Sequence, residues 1–105
     1  MTMTFFETIE TMGLPCVYSH FEEGREDTAI PYLAYHGAGQ NTFEADNTYY
    51  WRKNQYMLEY YFIDKDEEQE ETIEQALLDN GYLYEKSEDV YIDTEGMFVI
   101  YYTIN

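Results

Sequence analysis

Basic residues are scarce in this chain. Five Lys and Arg stand against 22 Asp and Glu, for a net charge of −17 over 105 residues. That deficit removes the phosphate attraction on which nucleic-acid binding rests. A surface so acidic is repelled by nucleic acid and by membranes. Cysteine is nearly absent as well. Cys16 stands alone, which excludes a disulfide framework and fits a reducing interior. Next to Val17 it reads as a small buried hydrophobe. No apolar run approaches the length needed to span a bilayer. The N-terminus shows no basic region followed by an apolar core, so no secretory signal is expected.

What the chain has in excess is aromatic side chains: thirteen Tyr, six Phe and one Trp. High net charge alone would point to disorder. Aromatics argue the opposite, because each carries a large area to bury and here they sit in strand-like runs. The chain is therefore expected to fold as a single domain over residues 1–105. Its core is modest for reasons of size, and repulsion among the carboxylates lowers the margin further. An oligomeric interface would bury more of the aromatic surface, so assembly is expected.

The first segment reads as a short amphipathic helix. Thr4 is placed to cap it, and Glu7, three residues on, completes a capping box. Phe5, Ile9 and Met12 form one stripe with Phe6 beside it; Gly13 and Pro15 end the helix. Cys16 to Ser19 reads as extended and Phe21 to Thr28 as an exposed loop. Pro31 opens a strand, Tyr32 to His36, which Gly37-Ala38-Gly39 is expected to break. Phe43 to Asp46 reads as extended or turn, with a turn at Asp46-Asn47. Tyr49 to Ile63 is the centre of the fold. Tyr56, Leu58, Tyr60 and Phe62 point one way; Met57, Glu59, Tyr61 and Ile63 point the other.

A second helix follows the acidic run Asp64 to Glu71, whose charges suit a helix N-terminus. Its buried stripe is Ile73, Ala76 and Leu77, with Leu78 flanking, and Asn80-Gly81 stops it. Three extended runs close the chain: Tyr82 to Glu85, Val90 to Asp93 and Met97 to Ile104. Thr94-Glu95-Gly96 joins the last two as a three-residue hairpin loop. In the final run Phe98, Ile100, Tyr102 and Ile104 alternate with Met97, Val99 and Tyr101, so both faces are apolar. The expected fold is α+β: a mostly antiparallel β-sheet with two α-helices packed on one face.

No motif in the chain carries catalysis. Asp64-x-Asp66-x-Glu68 matches half of a calcium-binding loop, but Gln69 and Gln75 stand where Gly and a bidentate Glu are needed. A solvated helix start explains the acids. Cys16, His20 and His36 lack zinc-ligand spacing. Gly37-x-Gly39 does not open a helix, so it is no dinucleotide loop. No nucleophile elbow is present. The expectation is a protein that is not an enzyme and takes no cofactor and no metal. Arg52-Lys53 is the only basic pair, and it marks a place where an acidic neighbouring copy could dock. Tyrosine on two-faced strands suits protein interfaces, where an apolar body and a polar tip are both used. Arg52, Lys53, Tyr61 and Tyr101 are therefore the candidate interface residues.

Five stretches, taken in order, carry a resemblance. They are Leu14-Pro15-Cys16-Val17-Tyr18-Ser19-His20-Phe21, then Pro31-Tyr32-Leu33-Ala34-Tyr35, then Phe43-Glu44-Ala45-Asp46-Asn47, then Tyr56-x-Leu58-Glu59-Tyr60-Tyr61, then Tyr84-Glu85-Lys86-Ser87-Glu88. Together they resemble small tail-completion, or tail-terminator, proteins that join head to tail in long-tailed phages and prophages. Order and spacing through most of the chain carry the likeness. It implies an α+β subunit that forms a ring with itself, typically a hexamer, at the head-proximal end of the tail tube. Such a ring stops tube growth and meets the tail tube protein and the head–tail connector proteins. It implies a place at the head–tail junction of the virion, after assembly in the bacterial host cytoplasm, with no membrane involved. DNA would pass through an acidic channel without specific binding. The family has no catalytic residues to carry over. A rival reading rests on charge and size: an acidic DNA mimic that inhibits a host nuclease or DNA-binding protein, of the anti-restriction or anti-CRISPR type.

The charge imbalance has a direct thermal consequence. A Debye length of about 8–10 Å at a tenth molar salt or slightly more screens repulsion among the carboxylates. The melting temperature is expected to rise between dilute buffer and a few tenths molar salt. An unchanged value, read by circular dichroism, would show the charges already compensated.

Overall fold

The structure, a computed structural model, describes residues 4–18, 30–45 and 49–104, with the backbone alone described at 40–45 and 49–54. The element order is α1 (Phe5–Glu10), β1 (Cys16–Tyr18), β2 (Tyr32–Ala45), β3 (Tyr49–Phe62), α2 (Glu67–Asp79), β4 (Tyr84–Lys86), β5 (Val90–Ile92) and β6 (Met97–Ile104). The strands form one sheet in the order β1-β2-β3-β6-β4, and β5 also pairs with β6. Every pairing is antiparallel except β1 with β2. This is the expected α+β fold, with a mostly antiparallel sheet and both helices on one face.

Local chemistry sets the helix ends. Thr4 Oγ1 accepts from the Glu7 amide at 3.2 Å, and Glu7 Oε1 accepts from the Thr4 amide at 2.9 Å. The capping box thus supplies two amides that the helix itself cannot satisfy. Asp66 caps α2 by accepting from the Gln69 amide at 3.1 Å. Glu67, Glu68 and Glu70 lie in the first turn, where the helix dipole favours them. Gly81 ends α2 at φ +81°, a conformation side chains with a Cβ disfavour.

The central ladder pairs β3 with β6 from Tyr56↔Ile104 to Phe62↔Phe98. Residues directly opposed across a ladder share a face. Leu58, Tyr60 and Phe62 therefore lie with Ile100, Tyr102 and Ile104, and α1 and α2 bury that face with Phe5, Ile9, Met12, Ile73 and Leu77. Phe5 stacks on Tyr56 at 4.2 Å between centroids and meets Tyr35 and Tyr82 edge-on at 5.7 and 5.2 Å. Aromatic pairs in these geometries add about 0.5–1.5 kcal/mol each beyond area burial.

The buried stripe of α2 includes a carboxylate. Glu70 is 3% exposed and sits in line with Ile73 and Leu77. Lys65 Nζ meets Glu70 Oε2 at 2.8 Å, and Lys86 Nζ meets Glu70 Oε1 at 2.8 Å. Lys65 also reaches Asp89, at 3.1 Å. Lys86 also holds Glu74 Oε2 at 2.8 Å, and Glu74 accepts from the hydroxyls of Tyr102 at 2.8 Å and Tyr84 at 3.1 Å. One chain of charges and hydroxyls thus ties α2 to the segment before it, to β4, to the turn beyond β4 and to β6.

β4 and β5 are two halves of one edge. β4 pairs with Tyr102–Ile104 and β5 with Met97–Val99. Between them Ser87 takes over: its amide donates to Tyr101 O and its hydroxyl oxygen accepts from the Tyr101 amide, both at 2.9 Å.

Several local expectations change. The Gly37-Ala38-Gly39 run does not end the strand. β2 continues to Ala45, and the run becomes a register irregularity between Gly37 and Gln40 with Gly39 at φ +96°. Ala38 and Gly39 oppose the single residue Gln55, and glycine's freedom absorbs the one extra residue while pairing resumes beyond it. The Phe43–Asp46 stretch is accordingly strand as far as Ala45. The β5–β6 hairpin has four loop residues, Asp93 to Gly96, because Ile92 pairs directly with Met97. Ala76 is only half-buried, and Ile63 lies beyond the end of β3, exposed. Ser19, the loop Phe21 to Thr28 and the Asp46-Asn47 turn lie outside the described residues.

The ionic chain predicts acid sensitivity. Burial pushes the Glu70 carboxyl up, but hydrogen bonds and charges from Lys86 and Lys65 outweigh it and hold it below its ordinary value. Its stabilisation is therefore present above about pH 4.3 and is lost as pH falls through the lowered folded value. Burial pulls the Lys86 ammonium down, and Glu70 and Glu74 more than reverse this. Its contribution is intact below about pH 10.4 and is lost only above. Glu70→Gln is expected to cost about 1–3 kcal/mol at neutral pH. It should also lose less stability than the parent between about pH 5 and pH 3, since it has no proton to take up. Parallel losses in urea unfolding would show the network contributes nothing.

Candidate functional site

The opposite face of the sheet is built from the alternate residues. β2 supplies Tyr32, Ala34 and His36; β3 supplies Met57, Glu59 and Tyr61; β6 supplies Met97, Val99, Tyr101 and Thr103. Among the described residues neither helix packs here, and none of these side chains belongs to the helix-side core. Ala34 and Val99 are buried by their neighbours, while Tyr32, Met57, Tyr61 and Tyr101 are half-buried. The face is therefore apolar at its floor and tyrosine-rich at its surface.

Glu59 sits at its centre. The Tyr61 hydroxyl donates to Glu59 Oε1, and His36 Nε2 lies 3.7 Å from Glu59 Oε2. Tyr61 also stacks on Tyr32 at 4.7 Å with the rings nearly parallel. Burial, and then the bond to Glu59, push the Tyr61 phenol well above its ordinary pKa. A phenol held protonated, a carboxylate and an imidazole on an apolar floor make a surface suited to recognition. Each polar tip stands on an apolar body, the combination favoured at protein interfaces.

The four candidate interface residues divide into two places. Tyr61 and Tyr101 come together on this face: Tyr61 pairs across to Val99 and Tyr101 to Glu59. Arg52 and Lys53 lie elsewhere, opposite Thr42 and Asn41, and only their backbone is among the described residues. Eight or nine strand residues separate them from Tyr61, a distance on the order of 25–30 Å.

That second place is a two-stranded ribbon. β6 stops opposite Tyr56, while β2 and β3 continue together from Gln40↔Asn54 to Ala45↔Tyr49. Among the described residues no other strand pairs with this stretch. Its reach past the sheet is roughly 20 Å at ~3.3 Å per residue.

Other features gather no chemistry. Cys16 pairs across to Leu33 and so faces the helices, whereas His36 is on the opposite face. Those two do not approach one another; His20 lies outside the described residues. Burial raises the Cys16 thiol to about 11, which leaves it a poor nucleophile. Asp64 and Glu68 are exposed and Asp66 is occupied as a helix cap. An open groove of about 630 Å³ runs along α2 beside Glu68, Glu71, Glu74, Leu78 and Tyr84. Its carboxylates exclude phosphate ligands. Among the described residues no helix is long and apolar enough to cross a membrane, and no three His, Cys, Asp or Glu side chains gather as metal ligands.

Sequence reasoning missed Glu70 and the Glu59–Tyr61–His36 cluster. A signal for Glu70 was present: positions 70, 73 and 77 continue one helical stripe. No protein-family model and no curated protein matches the chain.

The two faces of the sheet each predict a late tyrosine titration. The Tyr61 and Tyr102 phenols are both raised, first by burial and then by bonds to Glu59 and Glu74. Their contributions are intact below about pH 10 and are lost as pH rises through the folded values. Ultraviolet titration of Tyr61→Phe is expected to lose one phenol from the last phase, where unfolding begins. Loss from an early phase instead would place Tyr61 in contact with water.

Proposed function

We propose that this chain is a structural subunit that assembles into a ring, caps the head-proximal end of a phage tail tube and joins tail to head. The observation that carries the reading is the sheet face on which, among the described residues, no helix packs, and where half-buried Tyr32, Met57, Tyr61 and Tyr101 surround Glu59. An apolar, tyrosine-rich face of this kind is what an obligate or assembled interface covers. The ordered likeness to tail-completion proteins supports the same reading. So does the charge: with 22 acids, a ring of such subunits would present carboxylates to passing DNA, which phosphate repulsion keeps from sticking. The reading places the protein in the virion at the head–tail junction, with tail tube and connector proteins as partners. It includes no catalytic step and no cofactor.

Isolated copies have a reason to stay apart. Each carries −17, and association waits until salt or a tube end offsets the repulsion. The experiment mixes purified protein with assembled tail tubes and images the ends, alongside Tyr61→Asp and Tyr101→Asp variants checked for folding by circular dichroism. The expected result is capping of one tube end by the parent and its loss in the folded variants. Absence of any binding to tubes or connectors at every salt concentration, with tight binding to a host nuclease, would move the assignment to the DNA mimic.

A further inference from the structure

We propose that copies associate head to tail, the β2–β3 ribbon of one lying across the tyrosine-rich sheet face of the next; this rests on the ring reading above and names its mating surfaces. The occupant of the face is a second copy of this chain, and three observations point to its ribbon.

The first is charge. Over residues 37–55 the sequence carries Glu44 and Asp46 against Arg52 and Lys53, a net of zero. The whole surplus of −17 lies elsewhere in the chain. The ribbon is thus the segment that approaches another copy without net repulsion. Successive strand residues face opposite ways, so one member of the Arg52-Lys53 pair would meet the carboxylates of the receiving face, Glu59 and, from β4 opposite Thr103, Glu85. Two surfaces that both carried the chain's average charge would repel.

The second is the ribbon's own incompleteness. Six residue pairs, from Gln40↔Asn54 to Ala45↔Tyr49, continue past the end of β6. A two-stranded ribbon on its own is marginal in water. Its sequence includes Phe43, Tyr49, Tyr50 and Trp51, residue types favoured at protein interfaces. Among the described residues no third strand pairs with it, and docking supplies that support.

The third is geometry. The ribbon and the receiving face are different patches, lying one beyond the other along β2 and β3. Contact between unlike patches is heterologous, and heterologous contacts are what close into rings of more than two copies. Face against face would be isologous and would stop at a dimer.

The test uses the full chain with Cys16→Ser, which removes the native thiol. One variant carries Thr42→Cys in the ribbon, and a second, size-tagged, carries Thr103→Cys on the face. They are incubated at a few tenths molar salt, with and without tail tubes, and treated with a short bismaleimide. The expected product is the mixed dimer, at least about tenfold above the product of either variant alone. A chain carrying both substitutions should give a ladder that ends at the ring size. Arg52→Glu with Lys53→Glu should abolish the ladder while leaving the circular dichroism spectrum unchanged. Assembly of the parent, seen by mass photometry, with crosslinks only between like variants would overturn this inference and leave the ring standing. Assembly indifferent to the charge reversal would do the same. No assembly of the parent, free or on tubes, would overturn the ring reading and this inference with it.

Discussion

Seven residue pairs between β3 and β6 hold the molecule together. β2 hangs on one side of that ladder and β4 and β5 on the other, and both helices seal one of its faces. The two strands are close to continuously apolar, which period-2 alternation reserves for strands covered on both sides. One side is covered here by Phe5, Ile9, Ile73 and Leu77. The other keeps tyrosines at its surface. The same property that makes the ladder a stable centre thus leaves a face adapted for contact.

Within so acidic a chain, the placement of cations matters. Lys65 and Lys86 are both engaged around Glu70 and Glu74. A buried carboxylate alone would be strongly unfavourable. Two ammonium groups and hydrogen bonds from Tyr84 and Tyr102 to Glu74 turn that liability into a tether from α2 to β4 and β6. The ammonium of Lys86 also lies 6.0 Å from the Tyr102 ring centre, and that of Lys65 lies 5.7 Å from the Phe62 ring centre, within reach of cation–π attraction. Tyrosine serves both faces: its ring fills the core while its hydroxyl bonds to carboxylate.

What the sequence revealed and what it concealed differ in range. The Thr4–Glu7 box, the Asn80-Gly81 stop and the alternation in β3 and β6 are local signals, and each element stands where they put it. Alternation put Tyr61 and Tyr101 each on one face of its own strand, but the register between β3 and β6 is what brings them together. Lys86 and Glu70 are sixteen residues apart, and no local pattern pairs them. The parallel placement of β1 beside β2 depends on a long connection whose path composition does not encode. Glycine misled in a different way. Gly37-Ala38-Gly39 has the composition of a strand end, but partners on β3 persist beyond it, so tertiary pairing overrode a local preference.

The Ser87 interruption between β4 and β5 gives the sheet a direction. A new strand adds to an existing sheet only along an uninterrupted row of free backbone groups. The outer edge of β6 is taken by two three-residue strands with Ser87, Glu88 and Asp89 between them, too short and too broken to template another. In-plane growth by strand addition is therefore blocked along that edge.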